Sequence, residues 1–222
     1  AFSFLERAES VSICLPMCSI VEIIHGLYFL INLLHIKLMK DPVVQAENTP
    51  LRDIAKPVAK KDITSSKITK IISRMKKILA KEEYGVAIAA PQIGESLQIF
   101  VISGKVFAKD APEDDGKKSI SPDRVFINPE ITRLSRAKYE MSEGCLSVRG
   151  KYGTVMRHEK ASIKALDDTG KTITYHGVGL VGHIFQHECD HLCGILYTDK
   201  AVQLEEDDEI RSARTKLTKR DV

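Results

Sequence analysis

Two histidines and a glutamate stand in the run His187-Glu188-Cys189-Asp190-His191, and that spacing suits metal chemistry. On a helix, residues four apart project from one face, so His187 and His191 can each present an imidazole nitrogen to a single cation. Glu188 lies between their directions, within reach of a water on that cation. A cation lowers the pKa of its water from about 15.7 to about 7, and a neighbouring carboxylate can take the proton and later deliver it to a leaving group. Catalytic sites of this kind use three protein ligands and keep a position for water. Cys145, in Glu143-Gly144-Cys145-Leu146-Ser147, is the leading candidate for the third. Its thiolate would be stabilised by a cation, and Gly144 allows close backbone approach. The plain alternative is a small buried hydrophobe, the commoner fate of a cysteine. Asp190 points away from Glu188 and is expected to orient a histidine or cap local structure. Cys189 and Cys193 lie off the histidine face and read as core.

These side chains need a helix to carry them, and the pattern predicts one over Gly177 to Leu192, closed by Gly194 just past its end. Upstream, Ile68, Ile71, Ile72, Met75, Ile78 and Leu79 recur at helical spacing with lysines between them. That predicts an amphipathic helix over roughly 65 to 82, with an ordinary core face. Leu97 to Ser103 and Val125 to Ile131 read as strands, separated by a loop from Asp110 to Arg124. Ala161 to Leu166 and Thr172 to Tyr175 alternate around Asp167-Asp168-Thr169-Gly170, a hairpin signal. Leu204 to Leu217, with acids early and basic residues late, reads as a last helix.

The chain of 222 residues can fill one core of ordinary size, which predicts one catalytic domain. Its 43% hydrophobic and 28% charged residues are globular proportions, and a net charge of +3 is too small to argue for nucleic acid. Five cysteines are an odd number at low density, which favours a reducing compartment over a disulfide scaffold. Residues 11 to 38 are nearly apolar but interrupted by Glu22, His25, Asn32 and His35. They read as a marginal membrane anchor, a core or oligomer-contact helix, a disordered extension, or translated sequence upstream of a start at Met39. A secretory signal fits poorly, because Glu6 and Glu9 offset Arg7. The expected division is therefore an N-terminal extension over 1–38 and a catalytic domain over 39–222.

Three motifs in order resemble those of the peptide deformylases. They are Gly85-Val86-Ala87-Ile88-Ala89-Ala90-Pro91-Gln92, Glu143-Gly144-Cys145-Leu146-Ser147, and Gln186-His187-Glu188-Cys189-Asp190-His191-Leu192-Cys193-Gly194. The similarity runs from about Leu51 to Lys200 and includes Leu51-Arg52, Ile127-Asn128-Pro129 and Val155-Met156-Arg157. The resemblance implies an α+β fold, with antiparallel sheets packed around a central metal-binding helix. It implies removal of the formyl group from the N-terminal formylmethionine of nascent polypeptides, with release of formate. It assigns Cys145, His187 and His191 as ligands of Fe(II), which zinc or nickel can replace. A metal-bound water would attack the formyl carbon with Glu188 as general base and then acid. Gln92 and the backbone N–H of Leu146 would receive the oxyanion, and such a donor contributes about 3 kcal/mol. The implied substrate-binding set is Val86, Ala87, Ile88, Gly144, Leu180, His183 and Ile184. The implied partners are the formylated nascent peptide and the ribosome, to which the basic residues Arg211, Arg214, Lys216, Lys219 and Arg220 could contribute; no specific DNA binding is expected. The implied location is the cytoplasm of a bacterial-type cell, or an organelle in a eukaryote.

The chain departs from the family pattern at three places. Ala87 stands where a second glycine is usual; a positive φ there would cost alanine about 1 kcal/mol, and otherwise the methyl narrows the cleft. Arg149 replaces a frequent proline. His183, one turn before His187, occupies a position that often lines the methionine pocket with an apolar residue. Leu180, Val86 and Ile184 keep that neighbourhood apolar, so His183 is expected to turn outward; turned inward, it would alter side-chain preference. A generic His-Glu-x-x-His protease leaves Cys145 and Gln92 unexplained. The alternative function is an inactive or altered-specificity deformylase-like metal-binding protein.

Overall fold

In the helix α1 (Ser66–Leu79), Ser65 accepts a hydrogen bond from the Ile68 N–H (3.4 Å) and caps the first turn. Ile68, Ile71, Ile72, Met75, Ile78 and Leu79 all lie on its buried face, as the spacing predicts. The computed structural model describes residues 42–46, 49–107 and 121–207. The expectations for residues 1–38 and for the basic tail lie outside them. Among the described residues, no helix is long and apolar enough to cross a membrane.

Among the described residues, eight strands follow in two antiparallel sheets: β1 (Ala87–Ala89), β2 (Ile99–Ile102), β3 (Arg124–Leu134), β4 (Lys138–Cys145), β5 (Val148–His158), β6 (Lys160–Leu166), β7 (Thr172–Val178) and β8 (Ala201–Glu206). The larger sheet has the order β1-β2-β3-β6-β7, and the smaller β4-β5-β8. A second helix, α2 (Leu180–Leu192), lies between β7 and β8 in the chain. The strand alternation splits the core into two. Ile99, Val101, Val125 and Ile127 face α1 in one apolar cluster, whereas Phe100, Ile102, Phe126 and Ile163 meet Ile184, Phe185 and Leu192 of α2 in the other. Phe126 anchors the second cluster, stacked on Phe100 (4.7 Å between centroids) and edge-on to Phe185 (5.5 Å). The α+β architecture implied by the resemblance is the one present.

The Ile127-Asn128-Pro129 run is a break in the β3–β6 register. Asn128 adopts φ 50°, and its side-chain amide pairs with both the N–H and the C=O of Val58 at 2.8 Å. The β6–β7 turn is built as expected: Asp167 accepts from the N–H groups of Thr169 and Lys171, each at 2.9 Å.

Four expectations need correction. The α1 helix ends at Leu79, where the chain tightens into a turn through Glu82. Gly177 and Val178 belong to β7, and α2 starts only after Gly179, whose φ of 57° breaks the strand. A Cβ on Gly177 would sit 2.6 Å from the Gly182 nitrogen, so β7 and α2 meet backbone to backbone. Arg124 opens β3 and is not part of the preceding loop. Leu204 to Glu206 are strand β8, paired with β5, and not the start of a helix; the rest of that expected helix lies outside the described residues.

Candidate active site

Helix α2 presents His187, Glu188 and His191 towards the last residues of β4, and Leu146 in the turn after β4 continues the wall. One nitrogen of each histidine and the Cys145 Sγ all lie within 4.8 Å of one another. Donors sharing one cation at 2.0–2.3 Å lie roughly 3.3–3.8 Å apart, so the 3.2 Å from Cys145 Sγ to His191 Nε2 fits such a group.

Glu143 controls the other histidine. Its Oε2 accepts from His187 Nδ1 (2.6 Å) and its Oε1 from His183 Nε2 (2.7 Å). Arg157 donates to both oxygens, at 2.7 and 3.1 Å. A carboxylate only accepts, so His187 carries its proton on Nδ1 and keeps Nε2 for a cation. Tyr197 stacks on the His187 ring at 6.3 Å between centroids and donates its hydroxyl to the Lys151 carbonyl (2.9 Å). Arg157 in turn reaches Asp190 (2.5 Å), which also holds Lys200 (2.7 Å). Asp190 therefore acts one step back from the expected role, on the arginine and not on a histidine.

Gln92 sits in the 3-10 turn Ala90–Ile93, buried. Its Oε1 accepts from the Ala89 N–H (2.8 Å), which turns Nε2 towards Cys145 Sγ (3.3 Å) and Ser147 Oγ (3.2 Å). Glu188 is 3% exposed, and its Oε2 has no hydrogen-bond partner among the described residues. Buried polar atoms are rarely left so, and a carboxylate oxygen beside three soft donors suits a water or substrate proton. The donor chemistry and this orphaned oxygen both fit a catalytic cation.

The electrostatics of the site run the same way. Burial pushes the Cys145 thiol up, but the His191 and His187 imidazoles outweigh it and bring it down to about 5. Burial also opposes the Glu143 charge, yet hydrogen bonds from His183, His187 and Arg157 hold that carboxyl far below the usual range. Burial disfavours charge on His187, and its bonds to Cys145 and Glu143 reverse the balance and raise it. Glu188 is raised, chiefly by burial. Cys189 is pushed up to about 12 by burial, as an inert thiol is.

A cavity of about 600 Å³ opens onto these groups. Val86, Ala87, Gly144, Leu180, His183 and Ile184 line it. Ile88 does not: it is fully buried in the cluster under α1, because β1 turns its side chain to the opposite face from Ala87. His183 does not turn outward. It is 5% exposed and faces Glu143 and Met141. Cys193, expected in the core, is exposed.

Residues 40–207 match the family model described as polypeptide deformylase. The chain belongs to the peptide deformylase family. Such enzymes are hydrolases that remove the formyl group from N-terminal formylmethionine, and this chain shares that activity. It is 38% identical over 162 residues to the peptide deformylase of Symbiobacterium thermophilum, covering 73% of this chain and 67% of the relative. The Halothermothrix orenii peptide deformylase is 36% identical over 174 residues, covering 78% and 97%. Among solved structures, the Met-Ala-Ser-bound class I type b peptide deformylase of Acinetobacter baumannii superposes with a TM-score of 0.61 at 32% identity, covering 72% and 96%. The departures from the deformylase pattern now have local explanations. Ala87 lies in β1 without a positive φ, so its methyl carries no backbone strain. Arg149 donates both terminal nitrogens to Glu82, at 2.8 and 3.2 Å.

The support of the site was the part that sequence reasoning missed. Glu143 stood in a quoted motif but was given no role of its own, and Arg157 was only a point of similarity. The available signal was a Glu two residues before Cys145 together with an Arg directly after the apolar pair Val155-Met156, two charges that must pair if that segment is buried.

Proposed function

We propose that Cys145, His187 and His191 hold a divalent cation, Fe(II) in the working enzyme, and that Glu188, Gln92 and Leu146 carry the deformylation chemistry beside it. The observation that carries this reading is the convergence of a thiol and two imidazoles next to the orphaned, buried Glu188 carboxylate at the end of a cavity. A cation held by these three residues would acidify water and polarise the formyl oxygen. Glu188 Oε2 accepts the proton of the attacking water and returns it to the amine nitrogen as the C–N bond breaks, leaving formate. Burial raises the affinity of Glu188 for that proton, which suits a group that must first take it and then hold it.

Gln92 serves the oxyanion that develops on the formyl oxygen. The Ala89 N–H fixes the amide so that Nε2 faces the site before substrate arrives. The N–H of Leu146, next after Cys145, supplies the second donor. Val86, Leu180 and Ile184 form an apolar wall for the methionine side chain, which the imidazole of His183 interrupts.

The full chain, loaded anaerobically with Fe(II), is expected to release formate from formyl-Met-Ala-Ser. Glu188→Ala should keep the cation and lose about 10²- to 10⁴-fold in kcat. No formate from the loaded wild type would overturn the reading.

A further inference from the structure

We propose that His183 is a positioning residue for the cation site: through Glu143 it holds His187 in the orientation that leaves Nε2 free for the cation. The proposal rests on the reading that Cys145, His187 and His191 bind that cation. His183 lies one helical turn before His187 on α2 and is 5% exposed. Its Nε2 N–H goes to Glu143 Oε1 at 2.7 Å, and Nδ1 lies against Met141 Sδ at 2.8 Å. Met141 and Glu143 are two apart on β4 and therefore share a face, so one imidazole ties α2 to two neighbouring side chains of that strand.

The consequence follows from the bookkeeping at Glu143. A carboxylate has about four lone-pair sites, and Glu143 receives four N–H groups. Each oxygen takes one imidazole and one guanidinium nitrogen: His183 and Arg157 Nε on Oε1, His187 and Arg157 Nη2 on Oε2. The arrangement is balanced about the carboxylate axis. Without the His183 donor, the pull from Arg157 on Oε1 is unopposed, and the plane that sets His187 Nδ1 can rotate. Val86, Leu180 and Ile184 beside it are apolar and bring no replacement donor. Partners of this kind typically change cation affinity or activity by about 10- to 100-fold.

The test compares His183→Gln with His183→Met in the full chain. The two side chains match in length and shape, and only Gln has an N–H for Glu143. Proteins loaded with Ni(II) are equilibrated against a competing chelator, and turnover of formyl-Met-Ala-Ser is measured beside them. The Met variant is expected to hold Ni(II) at least about tenfold more weakly than wild type, with a similar fall in kcat. The Gln variant should return both quantities to within about threefold of wild type. Retention by the Met variant within about twofold of wild type, or equal losses in both variants, would overturn the proposal. If only the Gln variant folds, its retention within about threefold upholds the role and a tenfold loss overturns it. Failure of the underlying site reading looks different: Cys145→Ala would then retain Ni(II) as well as wild type does.

Discussion

Replacing Arg157 by Met is expected to destabilise the protein by about 3 kcal/mol, through a loss that lies behind the active site. The Arg157 side chain is 4% exposed, between Glu143 at 2% and Asp190 at 15%. Its three contacts of 2.7, 3.1 and 2.5 Å are charge-assisted. Removing one partner of a buried pair leaves an uncompensated charge and costs about 3–5 kcal/mol. Here the cost falls at the low end, because Glu143 keeps two imidazole donors and Asp190 keeps Lys200. For a protein of this size each kcal/mol moves Tm by about 2–4 °C, which gives a fall of about 6–12 °C.

The assay is thermal unfolding followed by circular dichroism at neutral pH. Free Ni(II) is held constant, since a ligand that binds only the folded state raises Tm with its concentration. Lys76→Met supplies the comparison. It breaks an ion pair with Asp168 of 3.6 Å whose side chains are 34% and 47% exposed, and such pairs contribute at most about 1 kcal/mol. Should Arg157→Met lower Tm no more than Lys76→Met does, the buried network is not a stabilising one and the reasoning fails.

Three other outcomes follow from the same geometry. Because Glu143 titrates lower folded than its ordinary value of 4.5, its contribution is complete above that value and lost as pH falls. Wild-type Tm should therefore drop more steeply than that of Glu143→Gln between about pH 5 and about pH 3, and parallel curves would contradict the assignment. In chelator-treated protein, thiolate absorbance should rise with a midpoint at about 5 that vanishes in Cys145→Ser, while Cys189, at about 12, stays silent; a first midpoint above about pH 8 would refute this. With the His183 N–H given to Glu143 and Nδ1 lying against Met141, the thioether of a substrate gains no donor there, so formyl-norleucine peptides should keep kcat/KM within about fivefold of formyl-Met, equivalent to about 1 kcal/mol. A hundredfold preference for methionine would show that His183 reads the sulfur.

What could be read from the chain, and what could not, divides along a physical line. α1 was legible because its buried positions are Ile, Leu and Met at a helical period. β2 and the first half of β3 were legible because apolar residues fill them and the core closes on both their faces. The donors Cys145, His187 and His191 stood out because few residue types bind metal and their spacing suits one helix face. β4 and β5 escaped because the inward positions of their wall hold Glu143, Gly153, Val155 and Arg157. Strand alternation is present there, but charge and glycine occupy the places where a hydrophobic pattern is sought. Gly153 is needed because a Cβ would meet Tyr197 and Leu204 at 2.9 Å, and the two charges are needed to turn His187. His183 was misread for the same reason. On a face framed by Leu180 and Ile184, a polar residue reads as pointing to water, whereas a carboxylate hidden on a neighbouring strand supplies the partner that lets it point inward. The elements that orient a metal site are thus the ones whose sequences look least like core, because their buried positions must hold the polar groups that the ligands lean on.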